Sequence, residues 1–285
     1  MLFFLLYKIG AVLALALPVQ INYNIAVFVS EIKYFFSFAE KQEMVENLKL
    51  VMPNEDTANL RAYSKEIFAN FSNYLVDFFR FKKLNLEYIK EHIEIIGKNY
   101  VDEALKKGRG AILLSAHLGN WELGGAVVGL LGYPINALAL DHNNKLVNDF
   151  FIKQRQMKNE KNISINFAIR KCLSALNNNE LIAIVGDKDF TNNGAIVKFF
   201  GKETLLPKGP AVFHLKTGAV IIPCYLIRVK GDNFRLIFEK PVEYTPSGDF
   251  DTDIVSLTGC CAARLEAPIR KYIRQWYCFR KFWLN

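Results

Sequence analysis

His117 and Glu122 are the first residues whose types and spacing suit chemistry. They lie in AILLSAHLGNWELGG, residues 111–125. The apolar run Ala111 to Leu114 reads as a buried strand that ends at Ser115-Ala116-His117. Gly119-Asn120 then supplies a turn and a helix N-cap. A neutral imidazole takes a proton from a hydroxyl near neutral pH. A carboxylate on its other nitrogen fixes the tautomer and stabilises the imidazolium. A histidine near a strand end also occurs as a satisfied structural residue, so the spacing alone does not separate the two roles.

The elements that must hold such a pair follow residue 110. Apolar runs that read as strands cover 111–115, 135–140, 162–167, 181–186, 195–200, 219–229 and 234–239. Helical patterns fall near 121–131, 143–158, 168–178, 208–217 and 252–275. This alternation predicts an α/β fold with a mixed, partly parallel sheet flanked by helices. In such sheets ligands sit beyond the carboxyl ends of the strands. Asp187 also ends a strand and faces that side; as a turn residue before Asn192-Asn193-Gly194 it needs no such role. Gly201, Thr204, Lys208 and Gly209 read as a loop opening a helix, where an anion would find backbone amides and a lysine.

Residues 39–108 read as helical and charged, with Pro53 as a break and Leu60, Tyr63, Ile67, Phe71 and Leu75 along one face. Phe78, Phe79 and Phe81 suit either a packed core or a lipid groove. Residues 1–38 form a separate apolar segment. The stretch from Ile9 to Val19 is about half the roughly 20 residues that span a bilayer. It suits a spanning helix with Lys8 snorkelling or a helix in the interface. No positive region precedes it, which argues against a cleaved signal peptide. Residues 109–285 complete a single domain with 39–108, and no long linker divides them.

The net charge is +8, and 23 Phe and 12 Tyr accompany it. Basic, aromatic-rich chains meet nucleic acid or anionic membrane. Zinc-finger spacing, RNP-like boxes and Lys/Arg blocks are missing from the sequence, so membrane and acidic lipid are favoured over nucleic acid. Cys172, Cys224, Cys260, Cys261 and Cys278 are odd in number and lack metal-ligand spacing; they read as reduced thiols. The tail mixes Arg270, Lys271, Arg274, Arg280 and Lys281 with Trp276, Tyr277, Phe279, Phe282 and Trp283. That mixture suits the membrane interface or a helix docked by its aromatics.

The stretch around His117 resembles the His-x-x-x-x-Asp/Glu box of the glycerolipid acyltransferase superfamily. Further segments resemble, in order, the lipid A secondary acyltransferases of lauroyl/myristoyl type. They are Asn47-Leu48 in VENLKLVMP, Arg170 in AIRKCLSALNNNELIAIVGDKD, the stretch VKFFGKETLLPKGPAVFHLKTGAVIIPCY, and the Gln275-Trp276 tail. Two places depart: Asp187 is followed by Lys188 where the family often has Gln, and Arg280 is not directly followed by tryptophan.

The resemblance implies a glycerol-3-phosphate acyltransferase-like fold and acyl transfer from an acyl-carrier-protein thioester to a hydroxyl of a lipid A precursor. It implies a place at the cytoplasmic side of the inner membrane, on an anionic surface. His117 would be the general base and Glu122 its orienter. Amides around Gly119-Asn120 would face the oxyanion, Arg170 and Lys208 would bind phosphate or head group, and Asp187 would meet Arg170 or a substrate hydroxyl. No cofactor or metal is expected. Other acceptors for the same chemistry are lysophosphatidic acid and a mannosylated inositol lipid. A peripheral membrane-binding protein without catalysis is the non-enzyme alternative.

Overall fold

The strand–helix alternation after residue 110 forms an α/β layer structure in a computed structural model, which describes residues 2–165 and 168–283. Four helices come first: α1 (Leu2–Ala16), α2 (Val19–Phe36), α3 (Phe38–Val51) and α4 (Thr57–Phe79). Then follow α5 (Leu86–His92), β1 (Ile93–Ile96), α6 (Lys98–Lys106), β2 (Ala111–Ser115), α7 (Trp121–Leu130), β3 (Ile135–Ala139), α8 (Lys145–Gln156) and β4 (Glu160–Ser164). The chain continues with α9 (Ala168–Asn177), β5 (Leu181–Val185), β6 (Ala195–Phe199), β7 (Lys202–Leu206), α10 (Gly209–Thr217), β8 (Val220–Lys230), β9 (Asn233–Phe238) and α11 (Phe250–Lys271).

The main sheet has seven strands in the order β1-β9-β8-β2-β5-β3-β4. Its pairs are parallel except β8 with β9, a hairpin. β2 lies near the centre, and all five of its residues are buried, as a strand covered on both faces must be. Its side chains alternate between two apolar cores. Ile112 and Leu114 join residues of α9, α10 and α11, while Ala111 and Leu113 join residues of α7 and α8. The crossover helices therefore cover opposite faces and leave the carboxyl ends of β2 and β5 open between them.

Two elements differ from the sequence expectation. Residues 93–96 were expected to be helical but form edge strand β1 on β9, where Arg235 Nε meets Glu94 Oε2 at 2.7 Å. Residues 195–206 form a separate hairpin of β6 and β7. Its turn sets Phe200 at φ 51° and Gly201 at φ 80°, the two left-handed positions of a tight hairpin, and so β7 replaces part of an expected loop. The expected strand over 162–167 starts earlier, at Glu160; Asn166 and Phe167 lie outside the described residues.

The Phe-rich end of α4 is core: Phe78 and Phe81 are fully buried, and Phe79 packs on Tyr7 of α1. The opposite faces of α1 and α2 expose Leu5, Leu6, Ile9, Phe28, Ile32 and Phe35, among others. Among the described residues, no helix is long and apolar enough to cross a membrane. The tail docks by its aromatics: Trp276, Tyr277, Phe282 and Trp283 are buried.

Candidate active site

His117 lies two residues beyond β2, and Asp187 two residues beyond β5. The parallel register pairs Ser115 with Val185, so the two residues come off neighbouring strands side by side. Gly186 N donates to Ser115 O at 2.8 Å and carries the ladder past the strand ends. The result is a contact of 2.7 Å between His117 Nδ1 and Asp187 Oδ1. Trp276 Nε1 donates to the other oxygen, Oδ2, at 2.9 Å.

Asp187 is fully buried, which on its own raises a carboxyl. The imidazole of His117 and the hydrogen bonds from His117 and Trp276 outweigh that, and Asp187 is held below the usual carboxylate value. An ionised Asp187 places the imidazole proton on Nδ1 and leaves the Nε2 lone pair free to accept one. The ring stands edge-on to Trp121 and Phe190, with centroids at 5.0 and 5.8 Å.

The backbone around His117 is clamped. Tyr277 N donates to His117 O at 2.8 Å, Gly119 N to Gln275 O at 2.9 Å and Asn120 N to Leu226 O at 2.8 Å. Gly119 has φ 65°, and a Cβ there would stand 2.1 Å from Leu226 O, so glycine is required. These bonds correct one expectation. The amides of Gly119 and Asn120 already serve carbonyls and do not face a substrate. The Asn120 side chain caps α7 through Leu123 N at 3.0 Å and donates to Asp77 Oδ2 at 2.8 Å.

Glu122 requires a larger correction. It does not orient His117; Arg155 Nε and Nη2 hold its two oxygens at 2.8 and 2.5 Å. The reason is geometric. Glu122 lies in the first turn of α7, directed toward α8, whereas the Nδ1 side of the imidazole faces β5. Arg155 Nη1 also donates to Asn162 Oδ1 at 2.6 Å, so the guanidinium ties α7, α8 and β4 together.

A cavity of about 230 Å³ opens at His117 and runs between α7 and the sheet. Leu113, Val128, Ile135, Ala137, Leu226 and Leu236 give it apolar walls, and Glu122, Arg155 and Glu160 line one part. Lys188 and Phe190 line it near Asp187. Burial pushes the Lys188 ammonium down, as does Arg280. Arg170 and Lys208 are not in this wall. Arg170 is exposed on α9, and Lys208 Nζ reaches Asn193 Oδ1 at 3.2 Å. The residues that sequence reasoning did not connect to the site are Trp276, as a donor to Asp187, and Arg155. The tail's Gln-Trp segment marked Trp276 without showing its contact; Arg155 carried no local signal.

A histidine held by a buried carboxylate, beside an apolar cavity in a mostly parallel sheet, has the parts of an acid–base site. The family model for bacterial lipid A biosynthesis acyltransferases matches residues 1–285, and the chain belongs to that family. It is 26% identical over 222 residues to a phosphatidylinositol mannoside acyltransferase of Mycolicibacterium smegmatis, across 76% of this chain and 70% of the relative. A phosphatidylinositol mannoside acyltransferase of Mycobacterium tuberculosis is 24% identical over 259 residues, 88% of this chain and 80% of its own. The lipid A biosynthesis palmitoleoyltransferase of Escherichia coli is 26% identical over 165 residues, 56% of this chain and 53% of its own.

Proposed function

We propose that this acyltransferase moves a fatty acyl chain from an acyl-carrier-protein thioester to a hydroxyl of a lipid A precursor, with His117 as general base held by Asp187. The observation that supports it most is the His117–Asp187 pair at the mouth of the apolar cavity. Nε2 takes the hydroxyl proton as the oxygen attacks the thioester carbonyl. The tetrahedral intermediate collapses to ester and thiolate, and the thiolate receives the proton. Such base catalysis contributes roughly 10²–10⁴ in rate. The acyl chain lies in the cavity, and Lys188 in its wall supplies positive charge beside the dyad.

The exposed apolar faces of α1 and α2 rest in an anionic membrane surface on the cytoplasmic side, with Lys8, Lys33 and Lys41 meeting head groups. An acidic carrier protein complements a chain of net charge +8.

The test is an assay of membranes carrying wild type, His117→Ala or Asp187→Ala. Each is supplied with acyl-carrier-protein thioester and tetra-acylated lipid A precursor, and the product lipid is weighed by mass spectrometry. One added acyl mass in wild type, lost in both variants at equal protein level, is the expected result. A product that persists in His117→Ala would overturn the mechanism.

A second reading, transfer to a glycosylated inositol lipid or another lipid acceptor, is favoured by one observation. The mycobacterial relatives align over more of this chain than the E. coli enzyme does. It predicts acylation of such an acceptor, and none of the lipid A precursor, in the same assay.

A further inference from the structure

Glu160 lines the cavity with a carboxyl that the dyad does not use. Glu160 opens β4 with its side chain turned under α7, and the residue is 3% exposed. Its neighbours in the wall are already matched: both Glu122 oxygens bind Arg155, and Arg155 Nη1 binds Asn162. Oε2 of Glu160 is fully buried and has no hydrogen-bond partner among the described residues. A buried carboxyl oxygen left unmatched destabilises the fold, so its retention beside a ligand cavity needs a reason.

The helix above makes room for this carboxyl. A Cβ at Gly125 would stand 2.5 Å from Glu160 Oε1, and a Cβ at Gly129, one turn further on, 2.1 Å from Lys158 O. These glycines let α7 lie close over the start of β4, with the carboxyl against the helix backbone.

We propose that Glu160 is a specificity residue that hydrogen-bonds a hydroxyl carried on the acyl chain, so that the cavity selects hydroxylated acyl groups over plain saturated ones. The inference rests on the reading that the cavity takes the acyl chain. A hydroxyl is the matching chemistry, because it both donates and accepts and is small enough for a chain-shaped space. Burial and the nearby Glu122 push the Glu160 carboxyl up to about 8 against the pull of Arg155. The acid therefore stays protonated at neutral pH and donates, without bringing a second negative charge beside Glu122. An apolar chain sliding past would leave the carboxyl unmatched.

The experiment offers the full-length protein in membranes matched pairs of acyl thioesters, plain and hydroxylated, in competition. The hydroxyl is placed near the thioester in one donor and mid-chain in another. Product ratios give relative kcat/KM. Wild type should favour one hydroxylated isomer by on the order of tenfold, the effect of one buried hydrogen bond. Glu160→Gln should keep most of that preference, and Glu160→Met should lose it; only the ratio is read.

Binding of the free plain and hydroxylated fatty acids, followed by thermal shift, reads the same preference without turnover. Binding preference without acyl transfer would fail the functional reading and keep this one. Equal or better use and binding of the plain chain by wild type would overturn it, as would a preference unchanged in Glu160→Met.

Discussion

Trp276 Nε1 lies 2.9 Å from Asp187 Oδ2, so the C-terminal tail is wired directly to the carboxylate that holds His117. The same tail clamps the backbone of His117 through Tyr277 and of Gly119 through Gln275. A segment whose composition suits a membrane surface thus serves as the back wall of the site. Its basic residues turn outward: Arg274 reaches Glu66 at 3.6 Å and Arg270 reaches Glu266 at 3.7 Å.

The first prediction follows from that contact. Asp187→Asn keeps the volume but removes the charge that stabilises the imidazolium, and kcat should fall by roughly 10²–10⁴-fold. Trp276→Phe removes only one donor, and its loss should be near tenfold. It also changes acid stability. Asp187 is depressed when folded, so its contribution is present above the unfolded value and is lost as pH falls through the folded one. Without the Trp276 donor the folded value rises, so acid unfolding of Trp276→Phe should begin at a higher pH than in wild type. Circular dichroism against pH reads this directly.

Glu122 separates structural loss from catalytic loss. Its side chain and that of Arg155 are 7% and 9% exposed, so Glu122→Gln strands a buried guanidinium. Removing one partner of such a pair costs about 3–5 kcal/mol. The urea midpoint should drop sharply, whereas Asp187→Asn should move it much less. Adding Arg155→Met to Glu122→Gln should recover much of the stability. If Glu122→Gln kept the midpoint and lost activity, Glu122 would belong to the chemistry.

Much of this was legible in the chain. The strand at 111–115, the alternation after it and the position of His117 at a strand end follow from local pattern. The partner of His117 does not. Glu122 is close in sequence but turns with the helix toward α8, while Asp187, 70 residues away, arrives through strand order. Local periodicity gives no order for strands in a sheet, and β2 and β5 become neighbours only through crossovers that skip over β3 and β4. β7 was hidden for a related reason. Its turn needs Phe200 at positive φ, which the residue type does not announce.

Glu160 gives a pH dependence of opposite sign. Its carboxyl is raised from 4.5 to about 8, so the folded protein binds the extra proton between those values. The stability it contributes is complete below 4.5, declines as pH rises, and is gone above about 8. Glu160→Gln cannot titrate there. The stability of wild type relative to the variant should therefore fall as pH rises through this window. Paired urea titrations across it make the comparison, and parallel curves would show that Glu160 keeps an ordinary carboxyl.

The N-terminal faces give the last prediction. Ile21, Ile25, Phe28, Val29, Ile32 and Phe35 recur at three- and four-residue spacing on α2, and all are exposed. The buried side of the same helix is fastened to the domain: Tyr23 OH donates to Asp77 Oδ1 at 2.5 Å and the Arg228 guanidinium stacks on its ring. One face is therefore anchored and the other left apolar in water, where it is costly unless covered by lipid. Each such side chain that enters the hydrocarbon boundary contributes about 1.5–3 kcal/mol when fully buried. Phe28→Glu with Ile32→Glu should reduce partition into anionic vesicles by at least about tenfold. A bilayer contact through this face would be mainly apolar, so high salt should weaken it far less than the double substitution does. Flotation of purified protein with vesicles reads both effects. Equal flotation of wild type and double variant would show that this face does not meet the bilayer, and full release by salt would assign the contact to the lysines instead.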